Sequence, residues 1–93
     1  MSRYTFQKQV QASPVTVAYG YDPAMGYFYQ EFNAAGELCV DLDSLFHRLT
    51  GVQLAERLCG GEDHLIACLQ DVAVRPAAIN WQHVMAMMLD LPF

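Results

Sequence analysis

The fold is decided by residues 15–33, which read VTVAYGY, then DPAMG, then YFYQEFN. The first run, residues 15–21, and the last, residues 27–33, are rich in the β-branched and aromatic residues that are typical of strands. The five residues between them begin with Asp-Pro and end with Gly26, and these residue types favour a tight turn. The stretch therefore predicts an antiparallel hairpin that carries four of the five tyrosines.

Strand signals continue on both sides of this hairpin. Residues 3–10 alternate with a period of two, which indicates a half-buried strand. Pro14 breaks that run because it lacks a backbone N–H. A second turn, at residues 34–36, precedes a short strand over residues 37–41. The first part of the chain thus predicts a small antiparallel meander of three or four strands.

Helical spacing begins after this meander. A first helix is predicted over residues 42–49, since its apolar residues recur at the i, i+3, i+4 and i+7 positions of one helix face. Asp41 or Asp43 can cap its N-terminus, and Gly51 is a suitable stop. Its predicted inward face consists of Leu42, Leu45, Phe46 and Leu49.

Further helices are predicted over residues 52–59, over residues 62–72 and after Asn80, which is a candidate N-cap. Strands followed by helices, without strand–helix alternation, predict an α+β fold in which three or four short helices pack on one face of the sheet. A chain of 93 residues is predicted to form one domain, residues 1–93.

Composition and charge argue against several classes of protein, among them disordered, nucleic-acid-binding and membrane proteins. Apolar residues make up 54% of the chain and the formal net charge is −5, which argues against disorder and against binding of nucleic-acid phosphates. No apolar run approaches the roughly 18–20 residues needed to cross a bilayer, and no secretory signal opens the sequence. Three cysteines, an odd number, favour free thiols in a reducing compartment. The chain is therefore expected to be cytoplasmic and to contact neither membrane nor nucleic acid directly.

The tyrosines are the first candidate partner-binding residues. Helices can cover only one face of the sheet, and Phe28 and Phe32, which have no polar tip, are expected to lie in the core. The opposite face would then turn outward, and exposed tyrosine clusters are typical of protein interfaces. The alternative is that the rings lie over the sheet edge with only their hydroxyls in water. The candidate cluster consists of Tyr19, Tyr21, Tyr27 and Tyr29.

Acidic residues are the second candidate set. Glu37, Asp41 and Asp43 cluster where the fourth strand meets the predicted first helix, with Glu31 expected nearby. Such a patch suits a basic partner. The alternative is that these carboxylates cap a helix and line a solvated edge.

A metal site or a catalytic site has weaker sequence support. Cys59, His64 and Cys68 have the spacing C-x4-H-x3-C, and the last two would share one helix face. Both cysteines also fit apolar helix faces as small hydrophobic residues. No nucleophile signature occurs in the chain. The prediction is therefore a non-enzymatic protein with no cofactor.

Four stretches of the chain resemble short bacterial proteins of phage or mobile-element origin: VAYGYD at 17–22, GYFYQEF at 26–32, DSLF at 43–46 and LTG at 49–51. In length and acidity the chain also resembles the anti-CRISPR proteins. This resemblance implies a cytoplasmic protein that acts by binding and occupies a surface of a bacterial defence complex or nuclease, often a surface meant for DNA. It assigns no functional residue.

The expected function is therefore binding that inhibits or modulates a larger protein complex, such as a CRISPR–Cas effector. The tyrosines would block the partner sterically, or the four acidic residues would stand in for phosphates. The alternative hypothesis is a metal-binding or small enzymatic domain that uses Cys59, His64 and Cys68. A third is a subunit that forms a homodimer through its sheet edge or its last helix.

Overall fold

A computed structural model describes residues 1–93 and contains a four-stranded antiparallel sheet followed by three α-helices. This arrangement confirms the predicted α+β meander with helices. The strands lie side by side in chain order. Their bounds are β1 Tyr4–Val10, β2 Ser13–Asp22, β3 Gly26–Phe32 and β4 Leu38–Asp43. The helices are α1 Gly51–Cys59, α2 Glu62–Gln70 and α3 Trp81–Met88, with a short 3-10 helix, Val72–Val74, after α2.

The central hairpin, β2–β3, has the predicted turn and register. Gly26 closes the turn with a φ of 82°, a conformation that glycine adopts without steric cost. Tyr19 lies opposite Tyr29, and Tyr21 lies opposite Tyr27. The hairpin therefore brings all four predicted tyrosines onto one face of the sheet.

The helices cover this tyrosine face, so the prediction that it turns outward is wrong. Tyr19, Tyr27 and Tyr29 are buried in the same core cluster as Leu54 of α1 and Val84 of α3. Alternation along a strand separates two faces but does not say which one is covered. Partners elsewhere in the chain accept or share each buried phenol proton, which makes the burial of these rings possible.

The two phenylalanines lie on the open face instead. Phe28 is only 6% exposed although it lies on this face, and its ring packs beside Gly20, where Cζ would be 3.0 Å from an added Cβ. The guanidinium of Arg3 lies 5.9 Å from the centre of the Phe32 ring. An antiparallel sheet commonly has one such face that is not covered by helices.

The predicted helix over residues 42–49 is absent. Leu42 belongs to β4, and residues 44–50 form a loop that connects β4 to α1. The Asp43 carboxylate accepts the N–H groups of Phe46 and His47, which fixes a turn where a helix was expected. Leu45 and Phe46 of the expected inward face are therefore exposed, whereas Leu42 and Leu49 still pack against the core cluster.

The remaining helices begin and end close to their predicted bounds. Thr50 caps α1 in a capping box with Gln53, so Gly51 opens a helix and does not end one. Gly60, with a φ of 98°, ends α1, and the Asn80 side chain caps α3 as predicted. No helix of the structure combines the length and the apolar character that a membrane span requires.

Candidate interaction site

The buried tyrosines are tied to α3 and to the segment that follows it. The Tyr19 hydroxyl and His83 Nδ1 share a hydrogen bond of 2.8 Å, and the Tyr27 hydroxyl donates to the Leu91 carbonyl at 2.8 Å. Phe93 stacks on His83, with ring centres 4.9 Å apart. Burial lowers the pKa of His83. Among the four predicted tyrosines only Tyr21 is partly exposed, so they do not form a surface cluster.

Glu31 belongs to an internal polar cluster rather than to an acidic patch. Its Oε2 accepts from the Tyr29 hydroxyl at 2.5 Å and from Lys8 at 3.2 Å, and it lies 3.7 Å from Arg57. Burial alone would raise the pKa of Glu31, but the hydrogen bonds and the two cations outweigh it, so the pKa is lowered. The Glu31 charge is therefore neutralised within the molecule.

The other three predicted acidic residues separate into two groups. Asp43 is buried, with 2% of its surface exposed, and its oxygens bind the β4–α1 loop. Glu37 and Asp41 remain exposed at the edge strand β4 and its preceding turn. The predicted acidic patch is thereby reduced to these two carboxylates.

The cysteine and histidine set of the metal alternative is not assembled. Cys59 and Cys68 are both buried, whereas His64 is exposed. No group of three His, Cys, Asp or Glu side chains is placed to hold a metal ion. Burial and the neighbouring Cys68 raise the pKa of Cys59 to about 11, so its reactive thiolate form is scarce at neutral pH.

Alkaline pH is expected to unfold the protein in a tyrosine-dependent way. Burial raises the pKa of Tyr19 and Tyr29, and burial together with the Asp90 charge raises the pKa of Tyr27 to about 12. Unfolded phenols titrate near a pKa of about 10, so their contribution to stability is complete below that pH and is lost as pH rises toward 12. Thermal unfolding followed by circular dichroism should give a Tm lower by on the order of 10 °C across this window.

Tyr27→Phe is the control for this prediction. The variant has one titrating phenol fewer, so its Tm should depend less steeply on pH above about 10. Tyrosinate absorbance reports when the phenols ionise. If they ionised while the Tm of wild type stayed constant, the assignment of these rings to the core would be contradicted.

The β4–α1 loop exposes two large apolar side chains. Leu45 is 53% exposed and Phe46 is 74% exposed. The loop is nevertheless held by defined contacts: the Ser44 N–H donates to the Tyr27 carbonyl at 3.0 Å, and Asp43 accepts from Phe46 and His47. Sequence reasoning missed this pair because helical spacing placed both residues inside. Asp43, a residue type that favours turns as well as caps, is the signal that could have revealed the loop.

A cleft of about 470 Å³ lies next to this loop, between the end of the sheet and helices α1 and α3. Tyr21 and Tyr27 contribute from the sheet, and Met88 and Asp90 from the end of α3. Both ends of the β4–α1 loop also line the cleft, through Ser44, Leu49 and Thr50. The loop and the cleft therefore form one continuous region of the surface.

Most of the cations are engaged in internal contacts. Arg75 donates to the Cys68 carbonyl and lies 4.0 Å from the centre of the Trp81 ring. Arg3 donates to the Gln30 side chain, and Lys8 and Arg57 flank Glu31. Since the chain has only 5 Lys and Arg against 10 Asp and Glu, its free surface charge is mainly negative.

No protein-family model, no curated protein and no solved structure matches this chain. The resemblance to anti-CRISPR proteins therefore stays a prediction. Any functional assignment rests on the geometry of the chain itself, above all on the β4–α1 loop and the cleft beside it.

Proposed function

We propose that this chain is a non-enzymatic protein that binds a larger protein complex and inhibits or modulates it, with Leu45 and Phe46 as its anchor. The observation that carries the proposal is the 74% exposure of Phe46 on a loop whose turn is fixed by a buried carboxylate. A free phenylalanine ring in water is costly, and its burial against a partner would contribute about 1.5–3 kcal/mol.

The rigidity of the loop adds to this argument. Asp43 fixes the turn on one side, and the Thr50–Gln53 capping box fixes the start of α1 on the other. An anchor that is already ordered loses little conformational entropy when it binds, so more of the burial energy remains as affinity. Aromatic side chains are enriched among interface hot spots.

The charges indicate a basic partner surface. Asp41 is exposed on β4, the strand that leads into the loop, and Glu37 is exposed in the turn before it, whereas most cations are held internally. Complementary charge speeds association and selects the partner. The resemblance to anti-CRISPR proteins adds a candidate: a cytoplasmic bacterial effector whose basic surface is meant for DNA.

The anchor can be tested with the double variant Leu45→Ser, Phe46→Ser. Capture from lysate of the native host, quantified by mass spectrometry against wild type, should show at least about a tenfold loss of the specific partner, which corresponds to about 1.4 kcal/mol. The Tm should remain close to that of wild type, because Phe46 is 74% and Leu45 53% exposed, so little packing is lost.

Val72→Ser is the matched control, since Val72 is equally exposed but lies on the short 3-10 helix after α2. It should capture the partner as wild type does. Equal recovery by wild type and the loop variant, or recovery of no specific protein by wild type, would refute the proposal. For the CRISPR–Cas candidate, wild type but not the loop variant should block interference against a targeted plasmid.

A further inference from the structure

We propose that the cleft between the sheet end, α1 and α3 binds a basic side chain, namely the guanidinium of an arginine on the protein partner. The biological source of this arginine rests on the proposed function above. The binding chemistry rests on the cleft itself, which combines one carboxylate, an aromatic wall and an apolar wall.

The first argument is electrostatic. Asp90 is the only charged residue that lines the cleft. Helix α3 ends here at Met88, and it has no basic residue in its last turn to offset the negative end of the helix dipole. The positive end of α1 borders the same cleft and opposes the α3 end, so the sign of the cleft is set by the full charge of Asp90. The cleft therefore favours a cation.

The second argument is the shape of the walls. The partly exposed ring of Tyr21 presents aromatic surface to the cleft, and the buried ring of Tyr27 lies behind it, with ring centres 5.4 Å apart and a tilt of 55°. Aromatic faces attract cations and stack well with a planar guanidinium. On the other sides Leu49 and Met88 offer apolar surface to the methylene stem of the same side chain.

The third argument is that the Asp90 charge acts on Tyr27, which lines the same cleft. This charge contributes, after burial, to the raised pKa of Tyr27, whose hydroxyl is held by the Leu91 carbonyl. The Asp90 carboxylate and the aromatic wall line the same cleft, and no cation of this chain lines it to compensate the charge. A bound guanidinium would supply the missing positive charge.

The cleft also continues the proposed anchor. The chain leaves the cleft at Ser44, exposes Leu45 and Phe46, and returns to the cleft at Leu49. A partner that packs on the anchor therefore has an adjacent place for one basic side chain. An apolar contact beside a charge-specific contact is the usual arrangement of a selective interface.

The test is a titration of the isolated protein with Nα-acetyl-arginine methylamide, followed by backbone amide NMR. We expect saturable shifts at residues that line the cleft, with a Kd on the order of millimolar, as befits so small a ligand. The neutral isostere Nα-acetyl-citrulline methylamide should cause no saturable shift. Salt at about 0.5 M should weaken arginine binding, because exposed charge pairs are screened.

Two acidic variants localise the effect. Asp90→Asn should weaken binding of the arginine probe by about two- to fivefold, the range for an exposed charge pair. Asp63→Asn removes the same charge from α2, away from the cleft, and should leave the Kd unchanged. A second measurement, the phenol titration, should show a lower pKa for Tyr27 in Asp90→Asn, which verifies that the carboxylate was acting there.

Absence of saturable shifts, or equal binding of arginine and citrulline probes, would overturn the inference. A lysine analogue that binds as tightly as the arginine probe would overturn the choice of a guanidinium. These titrations need no partner, so their failure leaves the loop-anchored function standing. Conversely, failure of the capture experiment leaves binding of the arginine probe measurable.

Discussion

Tyr29→Ala is expected to lower the free energy of unfolding by about 3–5 kcal/mol, the range for truncation of a large buried aromatic residue. The Tyr29 ring is 1% exposed and belongs to the core cluster that also contains Leu54. Its hydroxyl donates to Glu31, which also binds Lys8, so truncation leaves this polar cluster incomplete as well as opening a cavity. A domain of this size has about 5–15 kcal/mol of stability in total, so the loss should be readily measured by urea denaturation.

Two variants make the test specific. Tyr29→Phe keeps the ring and removes only the hydroxyl, so it should cost about 1–2 kcal/mol. Tyr4→Ala removes the same ring from an exposed position on β1 and should cost about 1 kcal/mol, mainly through its lost stacking on His83. If Tyr29→Ala proved no more destabilising than Tyr4→Ala, the Tyr29 ring would not be buried in the core.

Gly51→Ala is expected to be the most damaging change of a small residue, with a loss of about 3 kcal/mol or more. A Cβ at Gly51 would stand 2.0 Å from the Met87 carbonyl oxygen and 3.1 Å from Cε2 of Tyr27. Since the first of these atoms is backbone, helices α1 and α3 would have to move apart. The better helix propensity of alanine offsets at most about 1 kcal/mol of this cost.

Gly36→Ala is the matched control for Gly51→Ala. Gly36 has a φ of 81° but no atom lies within 4 Å of its Cβ position, so the expected cost is backbone strain of about 1 kcal/mol. Thermal unfolding of the two variants should therefore give a much larger fall in Tm for Gly51→Ala. Equal Tm values would mean that α1 and α3 do not approach each other this closely.

The elements that local chemistry determines could be predicted from the sequence. The hairpin turn depends on Asp22-Pro23 and Gly26, which lie in the turn or directly beside it. Likewise, Asn80 and Gly60 mark helix ends through bonds to residues a few positions away. Such signals need no knowledge of tertiary packing, and the structure confirms them.

The covered face of the sheet could not be predicted, because its determinants are distant in sequence. Tyr19 depends on His83 and Tyr27 on Leu91 for hydrogen bonds that span 64 residues each. The local sequence does not show these partners, and a phenol with a polar tip is then predicted to lie at the surface. Phe28 is buried although it lies on the face opposite the tyrosines, where its ring packs beside Gly20.

The interaction site could not be predicted for related reasons. Leu45 and Phe46 have helical spacing with Leu42, but β4 continues to Asp43 and uses Leu42 as a strand residue. Once Asp43 fixes a turn, the spacing no longer describes a helix face. The cleft depends on Asp90 lying beside the end of the hairpin, which only the packing of α3 establishes.

The covering of the tyrosine face by α3 has a consequence for synthesis on the ribosome. The sheet is complete at Asp43, yet α3 is finished only at Met88. At a translation rate of about 5–20 residues per second, the nascent meander stays uncovered for seconds, with its phenol rings in water. During that interval a chaperone, or a second nascent chain on the same messenger RNA, can compete with α3 for the tyrosine face.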